Sequence, residues 1–81
     1  MSEIEVRKKI DELLKVDDVS MARLRSVLQI GYIRAAKIIE YLDKEGYLIE
    51  MGCYQKKFNF DFFDELKDVI FERFSELVKV A

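Results

Sequence analysis

The chain has 81 residues, of which 51% are hydrophobic and 37% are charged, and its net charge is −2. A chain of this length forms one domain that buries roughly 60% of its unfolded surface, and this composition excludes a disordered protein. Because it has one cysteine and no histidine, neither an internal disulfide nor a zinc cluster can form. We therefore expect no metal, no cofactor, a passive Cys53 thiol and a cytoplasmic location.

The positive charge lies in the middle of the chain. Residues 20–58 hold seven basic and four acidic side chains, whereas residues 1–19 and 59–81 are each net negative. A phosphate backbone would be attracted to the middle segment. Because the N-terminus is charged and has no apolar run, we expect no secretory signal, and the nine charges between Phe58 and Ala81 exclude a membrane span there.

The first predicted element is a helix over about residues 3–15. Ser2 and Glu5 have the spacing of a capping box, and apolar residues then recur at near-helical spacing. Asp17 and Asp18 interrupt the pattern. We interpret the two aspartates as a polar turn between helices.

Two further helices follow, joined by a short turn. Ser20 predicts the N-cap of a second helix that ends at about Leu28. Gly31 lies in the turn and can supply a positive φ there. The third helix covers 32–45 and ends at Gly46, a typical residue just beyond a helix C-terminus. Its predicted buried stripe consists of Ala35, Ile38, Ile39 and Leu42.

After Gly46 the pattern changes to that of a hairpin. Tyr47 to Ile49 predicts one strand, Gly52 marks a turn, and Tyr54 to Phe58 predicts the returning strand. Asp61 then predicts the N-cap of a last helix over about 62–79.

This order of elements is that of a winged helix-turn-helix. We therefore predict a mainly α fold with a small β-hairpin and an additional C-terminal helix. Residues 1–58 form the winged helix-turn-helix domain, with a recognition helix over 32–45 and a wing over 47–58. Residues 59–81 form an amphipathic helix that packs on this domain or forms a dimer interface.

The stretch from Val19 to Phe58 resembles the gamma domain of FtsK/SpoIIIE-type DNA translocases. Residues 30–40 read IGYIRAAKIIE, and the family reads close to IGYNRAARxIE there. Ser20 and Leu24 match its short helix, and the wing matches without a gap. The matching wing residues are Gly46, Glu50 and Gly52.

The family's gamma domain is a winged helix that recognises short, directional DNA sequences and also contacts a tyrosine recombinase. The resemblance therefore implies recognition of double-stranded DNA. It does not imply translocation, because the chain has no P-loop. Ile33 stands where the family has asparagine and Lys37 where it has arginine, so the family's DNA sequence is not carried over.

The predicted recognition helix has one face available for bases. If its apolar stripe faces inward, then Ile33, Lys37, Glu40 and Lys44 face outward. In the major groove, Lys37 can donate to guanine, Glu40 can accept from a cytosine amino group, and Ile33 can pack on a thymine methyl. Arg34, at the flank, can reach a phosphate or a base.

Other basic residues are candidates for contacts to the phosphate backbone. Arg23 and Arg25 on the second helix would position the protein on the duplex. Lys56 and Lys57 on the wing would bind the neighbouring backbone. We expect the Tyr32 ring to close the core at the start of the third helix.

The C-terminal helix has more apolar residues than one packed face needs. We expect part of it to meet a second copy of the chain in a homodimer; the alternative is that it folds back and completes the core. The predicted interface consists of Phe62, Phe63, Leu66, Ile70, Phe74 and Leu77.

The sequence has no catalytic pattern, so we expect no enzyme: histidine and a glycine-rich phosphate loop are both missing. Two functions remain. The first is sequence-specific binding of double-stranded DNA through the third helix and the wing. The alternative is a winged helix that binds a protein partner without DNA, which would be favoured if the acidic ends neutralised the basic middle.

Overall fold

The computed structural model describes residues 2–52 and 55–78. Within them the chain is mainly helical, with a small antiparallel hairpin and an additional C-terminal helix, as predicted. The elements in chain order are α1 (Glu3–Leu13), α2 (Met21–Leu28), α3 (Tyr32–Lys44), β1 (Leu48–Glu50), β2 (Lys56–Phe58), a 3-10 turn (Phe60–Phe62) and α4 (Phe63–Leu77). Cys53, the predicted strand start at Tyr54 and the predicted helix end at Lys79 lie outside the described residues.

Serine side chains cap the first two helices as predicted. The hydroxyl of Ser2 accepts a hydrogen bond from the Glu5 N–H, and that of Ser20 accepts one from the Arg23 N–H, both at 3.3 Å. Each bond satisfies one of the N–H groups that the first turn of a helix leaves without a partner. These local signals therefore set where α1 and α2 begin.

The turn between α2 and α3 uses a different residue from the one predicted. Gln29 adopts the left-handed conformation, with φ 56°, whereas Gly31 has φ −76°. The left-handed residue has to follow α2 directly, because only then does the next N–H, that of Ile30, reach the Arg25 carbonyl at 3.2 Å. Gly31 comes too late for this role and is the N-cap of α3.

The end of α3 agrees with the prediction. Gly46 has φ 83°, a conformation that costs other residues more than glycine. Its N–H donates to the Asp43 carbonyl at 3.2 Å, and the Tyr47 N–H donates to the Leu42 carbonyl at 2.9 Å. This pair of bonds is a Schellman motif, and it directs the chain from α3 into the hairpin.

The hairpin receives a third segment that the sequence analysis interpreted only as a polar turn. β1 and β2 pair antiparallel, with Ile49 opposite Lys57. On the other side of β2, the Phe58 N–H donates to the Asp17 carbonyl at 2.6 Å, and the Val19 N–H donates to the Lys56 carbonyl at 3.1 Å. The link between α1 and α2 is therefore bonded to the wing.

The C-terminal helix begins later than predicted. The Asn59 side chain accepts a hydrogen bond from the Asp61 N–H at 3.1 Å, so Asn59 caps the 3-10 turn, and Asp61 lies inside that turn, before α4. The prediction that Asp61 caps this helix is therefore wrong. No side chain caps α4 at its N-cap residue, Phe62.

A single core joins all four helices and β2 among the described residues. α4 packs on α1 and α3 and contributes Leu66, Ile70 and Phe74, which are almost fully buried. The prediction that these three form an interface with another chain is wrong, because their side chains are already enclosed by their own chain. Of the other predicted interface residues, Phe62 is exposed, and Phe63 and Leu77 are half-buried.

Candidate nucleic-acid interface

The solvent face of α3 carries the side chains predicted for it. Ile33, Lys37, Glu40 and Lys44 are all exposed, as is Arg34. The opposite face supplies Ala35, Ile38 and Leu42 to the core, while Ile39 is only half-buried. Helical periodicity therefore divides α3 as predicted.

Tyr32 does not close the core at the start of α3, and that prediction is wrong. Its side chain is 61% exposed, and Ile30, just before the helix, is buried at this end of the core instead. Tyr32 lies next to Ile33, which is 70% exposed. The first turn of α3 therefore presents two large side chains to solvent.

Arg23 is bound within the protein and is not positioned for a phosphate contact. Its guanidinium donates to the Glu12 carbonyl at 2.7 Å and also to the Leu13 carbonyl. These carbonyls belong to the last turn of α1, which favours a cation because its C=O groups have no helical partner. Arg23 therefore fastens α2 to the end of α1, which corrects the predicted role.

The two wing lysines are paired with carboxylates of the same chain. Lys56 Nζ lies 2.6 Å from an Asp43 oxygen, and Lys57 Nζ lies 3.9 Å from an Asp17 oxygen. Both lysine side chains are half-buried. Both wing lysines therefore have a carboxylate partner within the chain, and their contact with the DNA backbone stays a prediction.

Four of the predicted cations form no ion pair with any described residue. They are Arg25, Arg34, Lys37 and Lys44, all exposed and all on α2 or α3. Ion pairs are formed by Arg7 on α1, by Lys15 just after it, and by Lys67 and Arg73 on α4. Lys8 on α1 forms none with a described residue. Most cations outside α2 and α3 therefore have a carboxylate partner, whereas the exposed cations of α2 and α3 have none among the described residues.

A groove of about 660 Å³ lies between the start of α3 and the end of α4. Cations and apolar groups share its lining, which consists of Gly31, Tyr32, Ile33, Arg34, Lys37, Glu76 and Leu77. The Glu76 carboxylate pairs with Arg73 at 2.8 Å. The groove can therefore receive a ligand that carries negative charge beside an apolar group.

Arg73 is a residue that the sequence analysis missed. It lines a second hollow of about 320 Å³ together with Lys37, Glu40, Tyr41 and Lys44. Its guanidinium stacks 4.3 Å above the centre of the Tyr41 ring. Arg73 belongs to the net-negative segment 59–81, and only the packing of α4 beside α3 brings it to this face.

Two groups near the termini of the helices have shifted pKa values. The hydrogen bond from Lys15 lowers the pKa of the Glu12 carboxyl. Loss of hydration raises the pKa of Tyr47, and the Glu65 carboxylate adds to this. The Tyr47 ring packs edge-on against Phe62, with 5.9 Å between ring centres.

Within residues 2–52 and 55–78, no cluster of three or more side chains is suited to hold a metal ion. Across the same ranges, the helices are too short or too polar to span a membrane. Comparison of the chain with models of known protein families, with curated proteins and with solved structures finds no match in any of the three.

Proposed function

We propose that this protein binds double-stranded DNA, with α3 in the major groove. The observation that carries the proposal is a set of cations on the helix-turn-helix that form no ion pair with a described residue: Arg25, Arg34, Lys37 and Lys44. Cations that no carboxylate neutralises can replace the counterions of a phosphate backbone. The resemblance of residues 30–40 to a DNA-recognition helix supports the same function.

Each of these side chains has a role that follows from its place in the fold. The first helix of a helix-turn-helix crosses the backbone, while the second enters the major groove. Arg25, exposed on α2, would therefore contact phosphate. Lys37 and Arg34 would donate to guanine O6 or N7, and Glu40 would accept from a cytosine amino group.

The wing has a supporting role in this proposal. Its lysines are used in ion pairs with Asp43 and Asp17, and these pairs connect the hairpin to α3 and to the α1–α2 link. A hairpin held in this way would fix the angle at which α3 meets the duplex. Backbone contacts from the wing would then come from main-chain N–H groups as well as from lysine.

The direct test is selection from a pool of randomised duplex DNA, repeated at two salt concentrations. We expect enrichment of a short motif and affinity that falls with salt. Replacing Lys37 by alanine should weaken binding to that motif by about tenfold, because one base contact is lost. The thermal midpoint should not change, because Lys37 is exposed and unpaired.

Lys15→Ala is the matched control, because it removes the same charge at a site away from α3. Lys15 follows α1 and pairs with Glu12 at 2.7 Å. The variant should leave the selected motif and its affinity nearly unchanged. Equal losses for both variants would indicate a non-specific charge effect. Unchanged sequence preference in Lys37→Ala would remove this lysine from the base-reading set, and no binding at low salt would overturn the function.

A second candidate function is docking of a protein partner, and one surface favours it. Phe60 and Phe62 are each 40% exposed and lie beside Asp61, Asp64 and Glu65 around the 3-10 turn. An apolar patch with acidic neighbours suits a basic, apolar segment of another protein. Failure of DNA binding would direct the search for a partner to this patch.

A further inference from the structure

The first turn of α3 exposes an aliphatic side chain at the centre of a basic surface. Ile33 is 70% exposed and shares a groove with Arg34 and Lys37. We propose that Ile33 reads the C5-methyl group of a pyrimidine in the major groove. The protein then distinguishes thymine and 5-methylcytosine from uracil and cytosine, an inference that rests on the proposed DNA binding.

The position of Ile33 on the helix is the first part of the argument. It is the second residue of α3, and the N-terminal residues of a recognition helix are those that contact base edges. Side chains of helical residues also lean toward the N-terminus. Ile33 therefore projects from the end of α3 that enters the groove most deeply.

The chemistry of the occupant is the second part. Arg34 and Lys37 have no carboxylate partner among the described residues, and the Glu76 carboxylate that also lines the groove pairs with Arg73. The groove therefore favours an occupant that carries negative charge. Ile33 has no donor or acceptor, so the same ligand has to supply an apolar group. In the major groove of DNA, phosphates lie close to the methyl groups of pyrimidines, and those methyls are the apolar features of the base edges.

The cost of leaving Ile33 in water is the third part. Exposure of this side chain contributes nothing to the core, which Ala35, Ile38 and Leu42 fill from the same helix. Burial of one methyl group against it would contribute about 0.8 kcal/mol, which corresponds to about a fourfold change in affinity. This is large enough to measure and small enough to require a matched control.

The test uses the motif that wild-type protein selects from random duplex DNA. Each thymine is replaced in turn by deoxyuridine, which removes only the methyl group. We expect one position at which this weakens binding by about fourfold. At the same position, DNA with 5-methylcytosine should bind more tightly than DNA with cytosine, because the two differ only in the methyl group that Ile33 would contact.

Two isoleucine variants complete the experiment. The Ile33→Ala variant should bind DNA with thymine and DNA with uracil at the sensitive position equally tightly. Ile4→Ala is the control, because Ile4 is also 70% exposed and is also the second residue of its helix, α1. It should keep the full thymine preference, and both variants should keep the wild-type thermal midpoint.

The outcomes separate the two proposals. Absence of binding to any duplex would overturn the proposed function and this inference together. Salt-dependent binding to a motif without thymine, or with no sensitive thymine, would overturn only the inference. A sensitive thymine that remains sensitive in Ile33→Ala would also overturn it, because another side chain would then read the methyl group.

Discussion

At the scale of single residues, two arginines on α2 show how neighbours decide the role of a charge. Arg23 and Arg25 are two positions apart, so they lie on different sides of the helix. Arg23 faces the end of α1 and donates to its last carbonyls, whereas Arg25 is exposed. One arginine therefore stabilises the fold, and the other remains available to a ligand.

Alanine at each position should separate these roles. Arg23→Ala leaves α1 carbonyls without their cationic donor and should lower the free energy of unfolding by about 1–2 kcal/mol. For a chain of this size that lowers the thermal midpoint by roughly 5–15 °C. Arg25→Ala should leave the midpoint unchanged and, if it contacts phosphate, should reduce the salt slope of DNA binding by about 0.9.

Thermal unfolding and a salt titration of both variants measure these effects. Equal thermal midpoints for the two would contradict the role assigned to Arg23. An unchanged salt slope in Arg25→Ala would exclude this side chain from the phosphate contacts.

At the scale of elements, the turn between α2 and α3 holds two residues in conformations that suit other residue types better. Gln29 occupies a left-handed position that suits glycine, and Gly31 occupies an extended N-cap position that suits serine. No side chain caps α3, although serines cap α1 and α2. The turn is therefore less stable than it would be with glycine at position 29 and serine at position 31 in the same backbone conformation.

Replacing each of the two residues by the type that suits its position should stabilise the protein. Gln29→Gly removes a left-handed penalty of roughly 1 kcal/mol, less the added entropy of glycine in the unfolded chain. Gly31→Ser should add roughly a few tenths of a kcal/mol through a new cap, and no atom lies within 4 Å of the added Cβ. Chemical denaturation of the single and double variants measures both gains.

Gly46→Ala is the control for this pair, since Gly46 has φ 83° and already suits its position. It should destabilise the protein by about 1 kcal/mol. A loss of stability in Gln29→Gly would show that the contact between Lys9 and the Gln29 side chain outweighs the backbone strain.

At the scale of the whole molecule, intramolecular ion pairs decide how much positive charge faces outward. Seven basic residues lie between positions 20 and 58. Arg23, Lys56 and Lys57 are engaged within the protein, which leaves four cations on α2 and α3. A protein of net charge −2 therefore has a surface on α2 and α3 where basic side chains are exposed without a carboxylate partner among the described residues.

The salt dependence of DNA binding should report this number. If each of the four exposed cations displaces one counterion, the slope of log K against log salt is about −3.6, whereas six cations, with Lys56 and Lys57 added, give about −5.4. Between 50 and 200 mM salt the first slope corresponds to about a 150-fold loss of affinity, and the second to a loss of about 2,000-fold. Titration in a monovalent salt, with stoichiometry from sedimentation, decides between them.

A slope near the larger value would show that the ion pairs of Lys56 and Lys57 open when DNA binds. A slope close to zero would contradict phosphate binding altogether. The comparison therefore tests whether the internal pairs persist in the complex.

The sequence alone determined the features that depend on neighbouring residues. Ser2, Ser20 and Gly46 set helix ends through bonds within a few positions, and apolar periodicity divided α3 into a buried and an exposed face. Such signals can be read locally because a helix repeats every few residues. The exposed face of α3, including Ile33 and Lys37, was predictable for this reason.

Only the tertiary structure decided which charges and apolar groups are used internally. Lys57 on the wing pairs with Asp17 in the α1–α2 link, Arg73 lies beside α3, and the packing of α4 buries its Phe74 in the core. Each of these contacts joins segments that are distant in the chain. They depend on how whole elements pack, and neither composition nor local spacing specifies that packing.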